Sequence, residues 1–238
     1  MFVVAFPTPA AALQAGRKAW QKFFCAHGLS RGKLMERRLA VFDHADALAG
    51  SPGVTAAKSR LAVTLARQLL VLEEQLGEQR RAIEERFEQH ADHAIFASLP
   101  AAGVKLAPRL LGEFGSDRER FDSVEAVQCH GGSAPVSFQS GQIKRVRFRR
   151  ACNRFLRAAL HLWANLSRRE SPWAEAYYQQ KRADGKSHAC ALRCLAQRWL
   201  KILWKMWQTR TAYDESLHLA NQRQHGSWVV KLLDAPAA

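Results

Sequence analysis

A periodic run of apolar residues between Leu61 and Phe87 constrains the fold of this chain more than any other feature. Apolar side chains recur there at intervals of three, four and seven residues, and charged side chains stand between them: the apolar positions are Leu61, Leu65, Leu69, Leu72, Leu76, Ile83 and Phe87. This spacing predicts one amphipathic helix of roughly eight turns.

The apolar stripe of this helix is narrow and extends over about four heptads. Two arrangements could bury it, namely a coiled coil with a second copy of the chain or an intramolecular helical hairpin. The first arrangement predicts a homo-oligomer that assembles through residues 55–90.

The rest of the sequence also favours helices. Residues 10–48 read as two helical stretches separated by Gly28 and Ser30, and residues 50–53 (Gly-Ser-Pro-Gly) predict a break. Downstream, a helix from Leu106 to Phe114 should end at Gly115. Serines in N-cap positions predict further helices, at Ser123, Ser171 and Ser187. The expected fold is mostly α, with residues 1–54 as a helical linker, 55–90 as the long helix and 91–238 as a C-terminal helical domain. Within that domain, the connection at residues 99–104 and the helices on either side of it are expected to form a helix-hairpin-helix element that presents backbone N–H groups to a phosphate.

One segment does not have the apolar spacing of a helix. Residues 134–148 alternate apolar and polar side chains on both sides of Ser140-Gly141, which predicts a short β-hairpin with Ser140 at its tip. A basic helix should follow from about Arg149 to Leu166. Apolar residues are interleaved with its cations, so we expect a buried side made of Val146, Phe148, Phe155, Leu156 and Leu160.

Charge points to a polyanionic partner. The 238-residue chain has a formal net charge of +15, and residues 126–169 contain nine Lys or Arg but no Asp or Glu. Without carboxylates nearby the positive field is not cancelled locally, so we expect contact with DNA or structured RNA. The expected contacts are Gly103, Lys105, Gln139, Gly141, Lys144, Arg145, Arg147, Arg149, Arg150, Arg154 and Arg157.

The number of cysteines and the hydropathy of the chain indicate the compartment in which the protein works. The five cysteines are odd in number and lack a CxxC pair, which favours a reducing cytoplasm over a disulfide framework. No stretch approaches the roughly 20 apolar residues of a membrane span. Cys190 and Cys194 lie one turn apart near His188, but no second ligand pair occurs at zinc spacing, so no metal ligands are assigned.

Ser140 is the candidate nucleophile. A serine that attacks a phosphate needs cations to stabilise the charged transition state and no carboxylate that repels the substrate, and the segment around Ser140 meets both conditions. Ser137, three residues earlier, is the competing hydroxyl. A Ser-Gly pair at a hairpin tip is also ordinary turn chemistry.

Several short strings, in order, carry a resemblance to a known family. They include Leu99-Pro100-x-x-Gly103, the segment from Leu106 to Gly115, Gln139-Ser140-Gly141, Arg150-Ala151-Cys152-x-Arg154-Phe155-Leu156-Arg157, Trp173-Ala174-x-Ala176-Tyr177-Tyr178 and Gly185-Lys186-Ser187-His188. Over about 140 residues the chain resembles the C-terminal domain of transposases of the insertion-sequence family numbered one hundred and ten. Ala101 stands where that family usually has Gly.

The resemblance implies DNA recombination of an unusual kind. An N-terminal RuvC-like domain of the family binds Mg²⁺ through four acidic residues, a C-terminal serine attacks DNA to form a phosphoserine link, and a structured RNA guides the enzyme. Ser140 matches that serine by its place in Gln139-Ser140-Gly141. The first 60 residues contain only Glu36, Asp43 and Asp46 as acids, so we expect Mg²⁺ to belong to an RuvC-like domain that this sequence lacks.

These observations predict a DNA-binding C-terminal transposase fragment, inactive alone, in the cytoplasm and associated with the nucleoid. Two alternatives stay open. One is a catalytically inactive, nucleic-acid-binding remnant of a transposase, and the other is a basic helical protein that binds an acidic protein partner.

Overall fold

The computed structural model of the protein describes residues 1–43 and 51–234. In this part of the chain twelve helices and one two-stranded antiparallel sheet are present. The predicted fold class, mostly α with one short β-hairpin, is confirmed. The chain divides into two compact units, of which the first is Met1–Ala82 and the second begins at Ile83.

Three short helices open the first unit. They are α1 (Phe2–Ala5), α2 (Pro9–Ala26) and α3 (Gly32–Asp43). The Thr8 hydroxyl caps α2 by accepting a hydrogen bond from the Ala11 amide at 3.0 Å. A small apolar cluster holds them together, with Ala12, Trp20, Phe24 and Leu39 at its centre. The two predicted helical stretches are confirmed as far as residue 43, and residues 44–48 lie outside the described range.

The long helix α4 runs from Pro52 to Glu88 over 37 residues, which is about ten turns and therefore longer than the sequence predicted. Pro52 and Gly53 lie in its first turn rather than in a break, because proline is compatible with the start of a helix. Gly50 is outside the described range.

The apolar stripe of α4 is open to solvent. Six of its side chains are between 49% and 65% exposed, namely Leu61, Leu65, Leu69, Leu72, Leu76 and Ile83, and only Phe87 is buried. The described residues therefore do not form the intramolecular hairpin that would have covered this stripe.

The second unit contains the remaining elements. They are α5 (His93–Ala97), α6 (Gly103–Phe114), α7 (Val124–His130), β1 (Val136–Ser140), β2 (Ile143–Arg147), α8 (Arg154–Ser167), α9 (Pro172–Ala183), α10 (His188–Thr209), α11 (Glu215–Gln224) and α12 (Trp228–Leu233). Helix α10 is central and packs against α7, α8 and α9, while α6 packs against α8. Ser123 and Ser187 cap α7 and α10 as predicted.

Tryptophans dominate the core of this unit. Trp163, Trp199 and Trp207 are fully buried, and the Trp199 ring lies 4.8 Å from that of Trp163. Each indole N–H has an acceptor, for instance the Ser167 hydroxyl at 2.8 Å from Trp199 Nε1. Hydrogen bonds from these three buried indoles favour one arrangement of the helices that carry them.

Some of the positively charged side chains are paired with carboxylates within the protein. Arg118 donates two hydrogen bonds to the Asp92 carboxylate, at 2.7 and 2.5 Å, and its guanidinium lies 4.6 Å from the centre of the Trp207 ring. The hydrogen bond from Arg118 lowers the pKa of Asp92 below its ordinary value. Arg168 is similarly paired with Glu175. These two arginines serve the fold and are not available to an external phosphate.

The connection between α5 and α6 contains an alanine in an unusual conformation. Ala101 has φ 56, in the left-handed region that favours glycine, and Gly103 has φ 53. The Ala101 amide donates to Glu170 Oε2 at 2.5 Å, and the Pro100 carbonyl accepts from Trp163 Nε1 at 2.9 Å. These hydrogen bonds hold the strained residue in place.

Replacement of Ala101 by glycine should stabilise the second unit by about 1 kcal/mol, because glycine adopts this conformation without the Cβ clash that costs alanine roughly 1–2 kcal/mol. Urea unfolding followed by circular dichroism measures the change. The same substitution at Ala97, the exposed last residue of α5, is the matched control and should destabilise by at most about 1 kcal/mol, because glycine is a poor helix former. Equal effects at both positions would contradict the strain assigned to Ala101.

Candidate nucleic-acid interface

The β-hairpin is the most distinctive surface element of the second unit. Strands β1 and β2 pair in antiparallel register, with Ser140 opposite Ile143 and Phe138 opposite Arg145. Only Gly141 and Gln142 connect them, and Gly141 has φ 55. Two-residue hairpin turns commonly need glycine at such a position. The prediction of a hairpin with Ser140 at its tip is confirmed.

The register decides which side chains share a face. Directly opposite residues of an antiparallel pair project to the same side, and successive residues alternate. Ser140 therefore shares its face with Phe138, Arg145 and Arg147, and the Arg147 guanidinium lies 5.1 Å from the centre of the Phe138 ring. Ser137 lies on the opposite face. The two candidate hydroxyls consequently have different surroundings, and the one at position 140 is accompanied by two arginines.

The opposite face of the hairpin carries different side chains. Ser137 shares it with Gln139, Lys144 and Val146, since Ser137 pairs with Val146 and Gln139 with Lys144. Of the predicted contacts in the hairpin, the structure thus places Arg145 and Arg147 with Ser140, and it places Gln139 and Lys144 away from it.

The hairpin is exposed along nearly its whole length. Every residue from Ser137 to Arg147 is exposed, including Phe138 at 52% and Val146 at 65%. An isolated two-stranded hairpin is only marginally stable in water. Its apolar and cationic side chains together form a surface suited to a ligand that is both flat and anionic.

The prediction that the basic segment has a buried side is wrong for three of its five residues. Val146, Phe148 and Phe155 are 65%, 43% and 70% exposed, whereas Leu156 and Leu160 are fully buried. The reason is that the hairpin does not pack on the core, and that Phe155 lies on the outer surface of α8. Phe148 lies in the segment between β2 and α8.

The predicted start of the basic helix is also wrong. Helix α8 begins at Arg154, and Arg149 and Arg150 lie in a non-helical segment before it. The Asn153 side chain caps the helix by accepting hydrogen bonds from the amides of Phe155 and Leu156, at 2.8 and 3.0 Å. The Asn153 amide in turn donates to the His130 carbonyl at 2.8 Å. These contacts fix where α8 starts.

A polar cluster anchors this cap to α6 and α7. Asn153 Nδ2 donates to Glu113 Oε2 at 2.6 Å and lies 3.5 Å from His130 Nε2. Burial, and then the nearby Arg120, lower the pKa of His130, while Glu113 acts in the opposite direction. His130 is therefore mostly neutral near pH 7, and the cluster holds the start of α8 without adding a competing positive charge.

Cations around the start of α8 are largely solvent-facing. Arg150 and Arg154 are exposed, Arg149 donates to the Ala134 carbonyl at 3.3 Å and is half-buried, and Arg157 is half-buried. Gly103 and Lys105, predicted as contacts in α6, are also exposed.

Two further cations were missed by the sequence analysis. Arg109 lies one helical turn after Lys105, is exposed, and donates to the Phe155 carbonyl at 3.4 Å, which places it beside the start of α8. Its spacing from Lys105 could have identified it. Arg193 of α10 lies near Phe148, with its guanidinium 4.8 Å from the ring centre. Nothing in the local sequence indicates this contact.

The described residues do not provide a metal site. Within residues 1–43 and 51–234 there is no group of three or more His, Cys, Asp or Glu side chains that could hold a metal ion. They therefore do not fit the Mg²⁺ that the family resemblance implies.

Comparison with known proteins agrees with the resemblance. Residues 93–179, which include the hairpin and all of α8, match the Transposase IS116/IS110/IS902 family. The chain is 40% identical over 135 residues to the protein of the IS117 mini-circle of Streptomyces coelicolor, an alignment that covers 57% of this chain and 33% of the relative.

Two other relatives belong to insertion elements. An IS900 protein of Mycobacterium paratuberculosis is 37% identical over 151 residues, with coverage of 63% of this chain and 38% of the relative. An IS110 protein of Streptomyces coelicolor is 32% identical over 145 residues, covering 59% and 36%. The matched part of the chain spans about a third of the length of these curated relatives. The segment that carries the hairpin and α8 is thus similar to the Transposase IS116/IS110/IS902 family.

Proposed function

We propose that the chain is the nucleic-acid-binding C-terminal part of an insertion-sequence transposase, with Ser140 as the nucleophile on DNA phosphodiesters in the intact enzyme. The observation that carries this proposal is the hairpin. It lies in the residues that match a transposase family, and it presents Ser140 on the same exposed face as Arg145 and Arg147.

Electrostatics support binding to a polyanion. Exposed cations occupy the hairpin, the segment after it and the first turn of α8, and residues 126–169 contain no carboxylate. The contact set comprises Gly103, Lys105, Gln139, Gly141, Lys144, Arg145, Arg147, Arg149, Arg150, Arg154 and Arg157, to which Arg109 is added. Within the described range no ion pair forms at Arg145, Arg147 or Arg154, so these side chains are available to phosphates.

The guide RNA and Mg²⁺ follow from the family resemblance, whereas self-association follows from the exposed stripe of α4. A structured guide RNA is a second nucleic-acid ligand, and Mg²⁺ is assigned to an RuvC-like domain outside the described residues. A second copy of the chain would cover the exposed stripe of α4. The proposed location is the cytoplasm, in association with the nucleoid. No helix in the described ranges is both long enough and apolar enough to cross a lipid bilayer.

Binding to duplex DNA should depend steeply on salt. If about five phosphates are neutralised, the logarithm of the binding constant should fall against the logarithm of salt concentration with a slope of roughly −4 to −5. Fluorescence anisotropy with a labelled duplex at several salt concentrations measures this slope. A flat dependence would contradict nucleic-acid binding.

A triple variant tests which side chains of the protein contact the DNA phosphates. Replacement of Arg145, Arg147 and Arg154 by glutamine should reduce the magnitude of the slope by about 2.7, since each phosphate contact contributes about 0.9. The matched control removes the same charge elsewhere on the second unit, at the exposed Arg182, Lys201 and Lys231. If both triple variants lose equal affinity, net charge rather than this interface governs binding.

A further inference from the structure

A cavity of about 530 Å³ opens beside the segment that joins the hairpin to α8. Its wall is made by α8, α10 and the backbone of residues 131–133, and it includes Leu160, Leu162 and Ala196. No Asp or Glu lines it; its polar side chains are Arg157, His161, Arg193 and Ser133. Ligand cavities usually measure about 300–1,000 Å³, so this one is large enough for a small molecule or a single nucleotide.

Phe148 forms part of the wall and is flanked by two guanidinium groups. The Arg157 guanidinium lies 5.1 Å from the centre of the Phe148 ring, and the Arg193 guanidinium lies 4.8 Å from it. The ring nevertheless remains 43% exposed. Aromatic rings and arginine planes are the surfaces on which unpaired bases stack in single-stranded complexes.

The arginines of the cavity retain hydrogen-bonding capacity for an anion. Arg157 Nη1 donates to Cys152 Sγ at 3.4 Å, and in the described part of the chain neither Arg157 nor Arg193 forms an ion pair. Burial, with smaller contributions from His188 and Arg193, lowers the pKa of His161. The positive charge of the cavity at pH 7 therefore comes mainly from the two arginines.

The glycines of the wall permit this arrangement. Gly132 has φ 67, and a Cβ there would lie 2.7 Å from Cys152 Sγ and 3.3 Å from Arg157 Cδ. A Cβ at Gly131 would lie 2.8 Å from Leu160 Cδ1. Any larger residue would displace the side chains that shape the cavity, so the backbone of this loop is fitted closely to Arg157.

We propose that this cavity binds one unpaired nucleotide of a nucleic-acid strand. Its base stacks on Phe148 above the apolar wall, and its phosphate is bound by Arg157 and Arg193. The position favours this ligand over an isolated anion, because Phe148, which lines the cavity, directly follows the cationic strand β2 in the chain. The inference rests on the proposed function and adds a site for an unstacked base.

Single-stranded oligonucleotides with and without bases test the proposal on the full chain. One probe is an oligothymidylate, and the other is an abasic strand with the same number of phosphates. We expect the chain to bind the base-containing strand at least about fivefold more tightly, because stacking on an aromatic side chain adds affinity that phosphate contact alone does not provide. RNA oligomers of matched length show whether ribose is accepted equally.

Variants of the cavity should remove this preference. Phe148→Ala deletes the stacking surface, and Ala158→Phe fills the mouth of the cavity from an exposed position of α8. Both should bind the two strands equally while retaining affinity for duplex DNA. Phe155→Ala is the matched control, because Phe155 is 70% exposed and does not line the cavity, and it should keep the preference.

The outcomes separate the two proposals. If the unmodified chain binds duplex DNA but does not distinguish the two single strands, the nucleotide cavity is wrong and the proposed function stands. The same conclusion follows if Phe148→Ala and Ala158→Phe both retain the preference. If no nucleic acid binds, both proposals are wrong.

Discussion

An alanine at position 140 should abolish the covalent protein–DNA adduct of the reconstituted enzyme while leaving its binding to DNA intact. In the proposed step the Ser140 hydroxyl loses its proton as its oxygen forms a bond to phosphorus, the bond from phosphorus to one deoxyribose oxygen breaks, and that oxygen gains a proton, so that one phosphodiester replaces another. Removal of the attacking oxygen should lower adduct formation by at least about a thousandfold, since loss of a catalytic nucleophile typically costs several orders of magnitude.

The hairpin register supplies the matched control. Ser137 lies three residues away on the opposite face, which carries Lys144 and Val146 rather than Arg145 and Arg147. Ser137→Ala should therefore retain the adduct. The proposed function assigns Mg²⁺ to an RuvC-like domain, so the assay combines the chain with such a domain and a guide RNA. The adduct can be trapped after denaturation and located by mass spectrometry, and an adduct that persists in the Ser140→Ala variant would end the assignment.

Two glutamates in the apolar stripe of α4 should convert an oligomer into a monomer. Leu69 and Leu76 are 65% and 53% exposed in the single chain, although burial of a leucine side chain is worth about 1.5–3 kcal/mol. A second copy of the helix would recover that free energy. Leu69→Glu combined with Leu76→Glu would instead place unpaired charges in the seam, at a cost of several kcal/mol. Sedimentation velocity measures the change in mass.

The control places the same charges on a side of the helix away from the stripe. Thr64 and Val71 are exposed, are seven residues apart like the leucines, and lie away from the stripe. Thr64→Glu with Val71→Glu should leave the oligomer intact. Circular dichroism should show that both double variants remain helical. If the unmodified chain is already a monomer at concentrations of tens of micromolar, the stripe does not mediate self-association.

The sequence alone determined the local elements of this protein. The apolar spacing of α4, the serine caps of α7 and α10 and the glycine turn after Ser140 each depend on residues within a few positions of one another. Backbone geometry acts over that range, so pattern and structure agree there. The family resemblance, supported by the comparison of residues 93–179, came from the same local strings.

The contacts of these elements depend on the tertiary structure. Helix α8 starts at Arg154 rather than Arg149 because Asn153 hydrogen-bonds to Glu113 and His130, which are 40 and 23 residues away in the chain. The hairpin stands free of the core, so its apolar residues are exposed although their alternation resembles that of a half-buried strand. The cavity beside Phe148 depends on Arg193 from α10, and no sequence pattern connects residues so far apart. Long-range packing and hydrogen bonds, rather than local propensity, thus determine the surface on which both proposals rest.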